Sequence, residues 1–171
     1  MKVVKKLGLI VLTTLLSLGA FAQASKTIVD NAAASKAHTT LVAAVKAAGL
    51  VETLSGKGPF TVFAPSNDAF AKLPADAVDY LLKPENIKKL QAVLTYHIVA
   101  GNLDSKTVVA AIKAGNGRAI LTTVQGGQLV ASIFADNIIL TDAKGNKSVV
   151  TAADIACSNG VIHVIDTVVL F

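Results

Sequence analysis

The sequence predicts an α+β domain, and three observations carry that expectation. Apolar residues recur with helical spacing from Thr27 to Gly115, and short β-branched runs punctuated by turn residues follow from Ala119 to Ala153. Two further strand-like segments, Thr61 to Ala64 and Val161 to Leu170, lie far apart in the chain. Helices concentrated in the first two-thirds, with a meander after them, give helices packed on a largely antiparallel sheet.

Taken in order, Ile28, Val29 and Ala32 share one face of a first short helix. Leu41, Val42, Val45 and Ala48 mark a second, for which Thr39 or Thr40 is the expected cap and Gly49 the expected end. Another helical turn spans Leu50 to Leu54 before the corner Gly56-Lys57-Gly58-Pro59. Phe60, Val62 and Ala64 then alternate with Thr61 and Phe63 as a strand does, Pro65 closes it, and Ser66 and Asp68 offer oxygens for a helix start. That helix stops by Leu73, because Pro74 pushes its predecessor out of helical geometry. Pro74 opens a helix over Ala75 to Leu82, and Pro84 opens a longer one with Ile87, Leu90, Val93 and Leu94 on its apolar face. Tyr96 and His97 close that helix, and an extended segment runs to Val99.

After Gly101-Asn102, Ser105 is the expected cap of a helix carrying Val108, Val109 and Ile112 and ending at Gly115. Strands are expected at Ala119 to Val124, Gln128 to Ser132, Asn137 to Thr141 and Ser148 to Ala153, with turns at Gly126-Gly127 and Lys144-Gly145-Asn146. Asn159-Gly160 turns the chain into the last strand. Phe63, Phe70 and Ile165 are expected to lie in the core.

Three segments stand out in this order: T-V-F-A-P-S-N-D-A-F from Thr61, the pair Tyr96-His97, and N-G-V-I-H-V-I-D from Asn159. Together they resemble the marker segments of the fasciclin domain family, and the resemblance runs from about Thr27 to Phe171. It implies a single copy of a fold in which helices wrap a twisted, wedge-like β structure. It also implies binding and adhesion, not catalysis. In animal matrix members, receptor binding is assigned to the Tyr-His segment and to an Asp-Ile pair before the last marker. The matching positions here are Tyr96, His97, Asp154 and Ile155, with Ala153 where those relatives carry a proline.

A length of 171 residues allows one ordinary domain. Residues 1–24 read as a secretory signal: lysines at 2, 5 and 6, an apolar run from Leu7 to Leu16, and small-residue sites for cleavage after Ala22 or Ala24. The apolar run is short for a spanning helix, so no stable membrane span is expected after cleavage, and the domain proper is 25–171. Cleavage removes three lysines and no acid, lowering the net charge from +5 to +2. No basic cluster longer than Lys88-Lys89 remains, which excludes a nucleic-acid surface. Cys157 is the only cysteine, so no intramolecular disulfide forms, and it is expected as a small buried apolar residue. A 53% apolar composition supplies a core without one.

No nucleophile elbow, zinc-binding H-E-x-x-H, C-x-x-C pair, phosphate loop or dinucleotide fingerprint is present, so no catalytic residue is assigned. His97 and His163 lie inside apolar runs and lack a third ligand at fixed spacing, so no metal or other cofactor is expected. The reading is a secreted, non-enzymatic module, extracellular or periplasmic, that adheres to a cell-surface or matrix protein or polysaccharide. The alternative is an extracellular or periplasmic carrier holding a small apolar ligand between helices and sheet.

Overall fold

Residues 26–171 are described by the computed structural model; the signal-segment expectation lies outside them. Seven α-helices and seven strands follow one another among these residues. Helix α1 (Ile28–Ala34) opens on a reciprocal capping box between Thr27 and Asp30. Helices α2 (Thr39–Ala47) and α3 (Val51–Ser55) meet at Gly49, whose φ of 69° allows a double closure. There the Gly49 N–H donates to Lys46 and the Leu50 N–H to Val45.

Strand β1 (Phe60–Pro65) leads into α4 (Asn67–Ala71), which Ser66 caps by accepting from the Ala69 N–H. Helix α5 (Ala75–Leu82) and a 3-10 turn at Pro84–Asn86 precede α6 (Ile87–Tyr96), β2 (Ile98–Ala100) and α7 (Ser105–Ala114). The meander is β3 (Arg118–Thr122), β4 (Gln128–Phe134), β5 (Asn137–Thr141) and β6 (Lys147–Cys157), and β7 (Gly160–Ile165) ends it.

Two expected caps are replaced. Neither Thr39 nor Thr40 caps α2. Asn67, from the next helix but one, takes over by accepting from the Thr40 N–H at 3.1 Å and donating to the Lys36 carbonyl at 3.0 Å. A side chain reaching from α4 is invisible to local reading. At α7 the cap is Asp104, which accepts from Thr107, while Ser105 is the first helical residue. Strand β6 also runs past its expected end at Ala153 to Cys157. The Ala-Ala-Asp stretch has poor strand propensity, and two register shifts against β7 absorb it.

The sheet order is β2-β1-β7-β6-β5-β4-β3, antiparallel throughout except where β7 lies parallel to β1. A bridge between Val99 and Thr123 and a 2.7 Å bond from the Val124 N–H to the Ile98 carbonyl bring the outer edges together. The sheet therefore curls into a nearly closed barrel with little free edge. Because β1 and β7 sit between this interior and the helices, both of their faces are buried. Val62, Ala64 and Ile162 face a core with Ile28, Leu41, Val45, Leu54, Leu90 and Leu94. Phe63 and Ile165, as expected, are fully buried, in the barrel core with Val108, Ile112, Leu129 and Leu140. Phe70 is only partly buried, packed on Ala69, Val93 and Val168, because α4 lies at the rim.

Asn159 fixes the entry to β7. Its Oδ1 accepts from the Ile28 N–H at 3.0 Å, and its Nδ2 donates to the Leu54 and Gly56 carbonyls at 2.7 and 2.8 Å. Its backbone carbonyl accepts from the Phe60 N–H at 3.0 Å. Next to it, a Cβ on Gly160 would lie 1.9 Å from the Phe60 carbonyl oxygen, so no side chain fits there. Asn159→Ala strands three backbone groups, each worth ~1–3 kcal/mol when buried and unpaired. The expected loss is roughly 3 kcal/mol, or about 6–12 °C in Tm, read by thermal unfolding.

Candidate interaction site

The four positions matched to matrix relatives divide into two environments. Tyr96 and His97 are inside, 0% and 2% exposed, at the end of α6. Asp154 and Ile155 are on the surface of β6, with Ile155 37% exposed.

Tyr96, the last residue of α6, packs in the barrel core with Phe63, Leu129 and Leu140. Its hydroxyl donates to the Gln128 carbonyl at 2.7 Å and accepts from the Ala143 N–H at 3.1 Å, joining α6 to β4 and to the turn after β5. Burial raises the phenol pKa above its ordinary value, and the nearby Asp142 carboxylate adds to this, against the Ala143 N–H. His97 bonds through both ring nitrogens: Nδ1 to the Val93 carbonyl at 2.7 Å and Nε2 to the Val169 N–H at 3.2 Å. These partners assign the proton to Nδ1, since a carbonyl accepts and an N–H donates. Complete burial lowers the imidazole pKa to about 4, opposed by the Val93 carbonyl and Asp142. The pair thus fastens the C-terminal segment and the meander to α6.

Asp154 adopts φ of 60°, a left-handed conformation that Asp tolerates better than most residues, and it makes the β6 bulge. Its carboxylate accepts from the Ser105 N–H at 2.7 Å and from the Ser105 hydroxyl, which adds a second anionic group at the start of α7 beside the Asp104 cap. His163 supports the bulge from beneath. Its Nδ1 accepts from the Asp154 N–H at 3.3 Å, its Nε2 donates to the Leu103 carbonyl at 2.7 Å, and Phe63 stacks on the ring at a 5.6 Å centroid distance. Ser105, Asp154 and His163 have the composition of a nucleophilic triad but not its connectivity. The carboxylate holds the serine, and both imidazole nitrogens bond to backbone groups, so the ring has no path for taking the serine proton. Among the described residues, no three His, Cys, Asp or Glu side chains are placed to hold a metal ion.

Beside Ile155 the surface opens into a pocket of about 230 Å³ lined by Asn31, Ser35, His38, Ala64 and Ile162. Sequence reading missed His38 and Asn31 here. The one local signal was a histidine between Ser35 and the start of α2, set close to a hydroxyl. Cys157 is half-buried, and not the fully buried apolar residue expected. Asn31 donates to its sulfur at 3.1 Å, and burial raises its pKa more than that bond lowers it.

Residues 36–171 match the Fasciclin domain family. The chain belongs to that family. Protein sll1483 of Synechocystis sp. is 50% identical over 145 residues, covering 84% of this chain and 73% of that protein. Immunogenic protein MPB70 of Mycobacterium bovis is 35% identical over 137 residues, 77% of this chain and 62% of its own length. The transforming growth factor-beta-induced protein ig-h3 of Sus scrofa is 38% identical over 142 residues, 83% of this chain but only 19% of the larger protein. Among solved structures, a FAS1 domain pair from the insect cell adhesion molecule Fasciclin I superposes with a TM-score of 0.76 at 21% identity. The alignment covers 86% of this chain and 52% of that pair, so the chain spans about half its length. The α+β fold is therefore the fasciclin fold, with a mixed seven-stranded sheet.

Two outcomes follow from the buried pair. Tyr96→Phe leaves the Gln128 carbonyl and Ala143 N–H without their partner, so Tm should fall by several degrees, corresponding to about 1–3 kcal/mol. His97 has a folded pKa below its unfolded value, so its neutral form contributes fully above about pH 6.5, and that contribution is lost as pH falls toward about 4. Stability should drop by roughly 3 kcal/mol across that window. Denaturant unfolding at pH 7 and pH 4.5 should show a shallower fall in His97→Gln.

Proposed function

We propose that this chain is a secreted, non-enzymatic adhesion module whose contact surface centres on the β6 bulge at Asp154 and Ile155. The observation that carries the reading is the hydrogen-bonded anchoring of that bulge. Ser105 holds the Asp154 side chain, His163 holds its backbone, and Ile155 is presented to solvent beside them. A pre-organised contact loses less conformational freedom on binding than a mobile one. Family membership supports the reading, and so does the adhesion molecule that shares the fold. In this assignment Tyr96 and His97 act from within, holding the frame that positions the surface, and Asp154 and Ile155 meet the partner.

The partner is a cell-surface or matrix protein or polysaccharide, met outside the cell or in the periplasm. No helix among the described residues is long and apolar enough to cross a membrane. The cleft between helices and sheet, walled by Val42, Val45, Leu54, Leu94 and Ile98, encloses about 30 Å³. That is room for about two waters, so this cleft does not hold the apolar ligand of the carrier reading.

Ile155→Ser tests the proposal. Immobilised protein should capture an envelope or matrix fraction saturably, and the substitution should lower capture at least fivefold. Its Tm should stay within about 2 °C of the parent, since exposed substitutions usually change stability by under ~0.5 kcal/mol. Equal capture by both proteins would remove Ile155 from the contact surface. Absence of saturable capture from every envelope and matrix fraction would overturn adhesion itself.

A further inference from the structure

The outer face of the meander carries the two most exposed large apolar side chains among the described residues, Ile120 at 65% and Phe134 at 74%. Strand alternation puts them on one face. On β3 and β4 the inward residues Ala119, Leu121, Leu129 and Ala131 fill the barrel core, so Arg118, Ile120, Val130, Ser132 and Phe134 turn outward. Ile120 lies opposite Val130 and Arg118 opposite Ser132, and Phe134 follows further along β4. Along the strands, Arg118 therefore stands between the levels of Ile120 and Phe134. Single exposed apolar residues are ordinary, but Ile120, Val130 and Phe134 on one sheet face, with a cation among them, form a patch.

The charge on this face has one sign. Arg118 is the only arginine among the chain's 16 lysines and arginines. The ion pair among the described residues is that of Lys72 with Asp166, so Arg118 has no carboxylate partner there. Across the sheet Val130 lies opposite Thr141, and Thr141 opposite Lys147, which places a second cation at the flank of the patch. Strands β3, β4 and β5 contain no acidic residue. The nearest acids in the chain are in the turns that border β5. Asp136 is exposed at the β4–β5 tip, and Asp142 is buried, with its oxygens engaged by the N–H groups of Lys144, Asn146 and Leu170.

We infer that the β3–β4 face docks peripherally on an anionic lipid surface, with Arg118 against headgroup phosphates, Lys147 at the flank, and Ile120 and Phe134 in the boundary with the acyl chains. Arginine matches phosphate oxygens with paired N–H donors, and apolar side chains leave water as they enter that boundary. A second copy of the chain would set two cationic faces together. A hydrated acidic polysaccharide would meet Arg118 but leave Ile120 and Phe134 in water. The outside of a barrel is convex, and side chains projecting from it enter a deformable lipid interface without the fitted pocket that a protein partner must supply. This face belongs to other strands than the β6 bulge, so lipid docking and adhesion stand or fall independently.

The test uses the exported protein and vesicles of phosphatidylcholine, alone or with about one-third phosphatidylglycerol. Parent and variants share one N-terminus, so differences between them report on the substituted face. Sedimentation should show at least tenfold stronger binding to the mixed vesicles, weakening as salt rises. The double variant Ile120→Ser, Phe134→Ser should bind them at least fivefold more weakly, and Arg118→Gln about fivefold more weakly. Melting curves verify that each variant is folded, and Ile155→Ser should bind vesicles as the parent does. A lipid with a spin label in its acyl chain should broaden the NMR signals of Ile120 and Phe134 before that of Ile155. Absence of vesicle binding, equal binding to the two vesicle types, undiminished binding by the folded double variant, or broadening centred elsewhere would each overturn lipid docking. Binding to soluble alginate without binding to vesicles would also overturn it, and would mark the face as a site for polyanions.

Discussion

The fold depends on seating one strand. β7 is the last strand to be made, yet it lies between β1 and β6 and pairs with β1 in parallel, so its register must be set at its first residue. Asn159 sets it. Its side chain satisfies the Ile28 N–H at the start of α1 and two carbonyls at the end of α3, while its own carbonyl joins β1. A hydrophobic residue there would contribute burial but leave helix-end groups unpaired, and helix ends buried without partners are costly. Gly160 completes the constraint by letting the two backbones approach more closely than any side chain allows.

Other buried polar groups follow the same logic at the opposite end of the barrel. After β7 the chain has no sheet partner for much of its backbone, and side chains serve instead. His97 takes the Val169 N–H, Asp142 takes the Leu170 N–H at 2.9 Å, and Ser148 donates to the Thr167 carbonyl at 2.8 Å. Asp142 also accepts from Lys144 and Asn146, so one carboxylate shapes the hairpin turn and anchors the C-terminal segment. The Tyr-His pair is therefore best understood as part of a set of fasteners. Their side chains are satisfied by backbone groups, and complete burial keeps His97 neutral against the pull of the Val93 carbonyl.

At the bulge, stability and presentation are coupled. A left-handed non-glycine residue costs of order 1–3 kcal/mol. Here the conformation is held by two bonds from Ser105 and one to His163, so the surrounding structure over-determines it. Ending β6 at Ala153 would remove this strain, but it would also remove the exposed turn of chain that carries Ile155 and walls the His38 pocket.

Much of this architecture was legible locally. Helical spacing, Gly49, Ser66 and Pro74, with the alternation through Phe60 to Pro65, determine the elements, because these signals act through backbone geometry over a few residues. The three marker segments identified the family. What the sequence could not show were contacts between residues far apart in the chain: Asn67 capping α2, Asn159 bridging 131 residues to Ile28, and His38 meeting Ile155 across a pocket. Burial also had to wait for the tertiary structure. Tyr96 and Ile155 are both apolar-context residues in sequence, and only the curling of the sheet places one inside the barrel and the other on a bulge. Side-chain type and spacing fix local conformation, whereas partner choice depends on which surfaces closure of the barrel brings together.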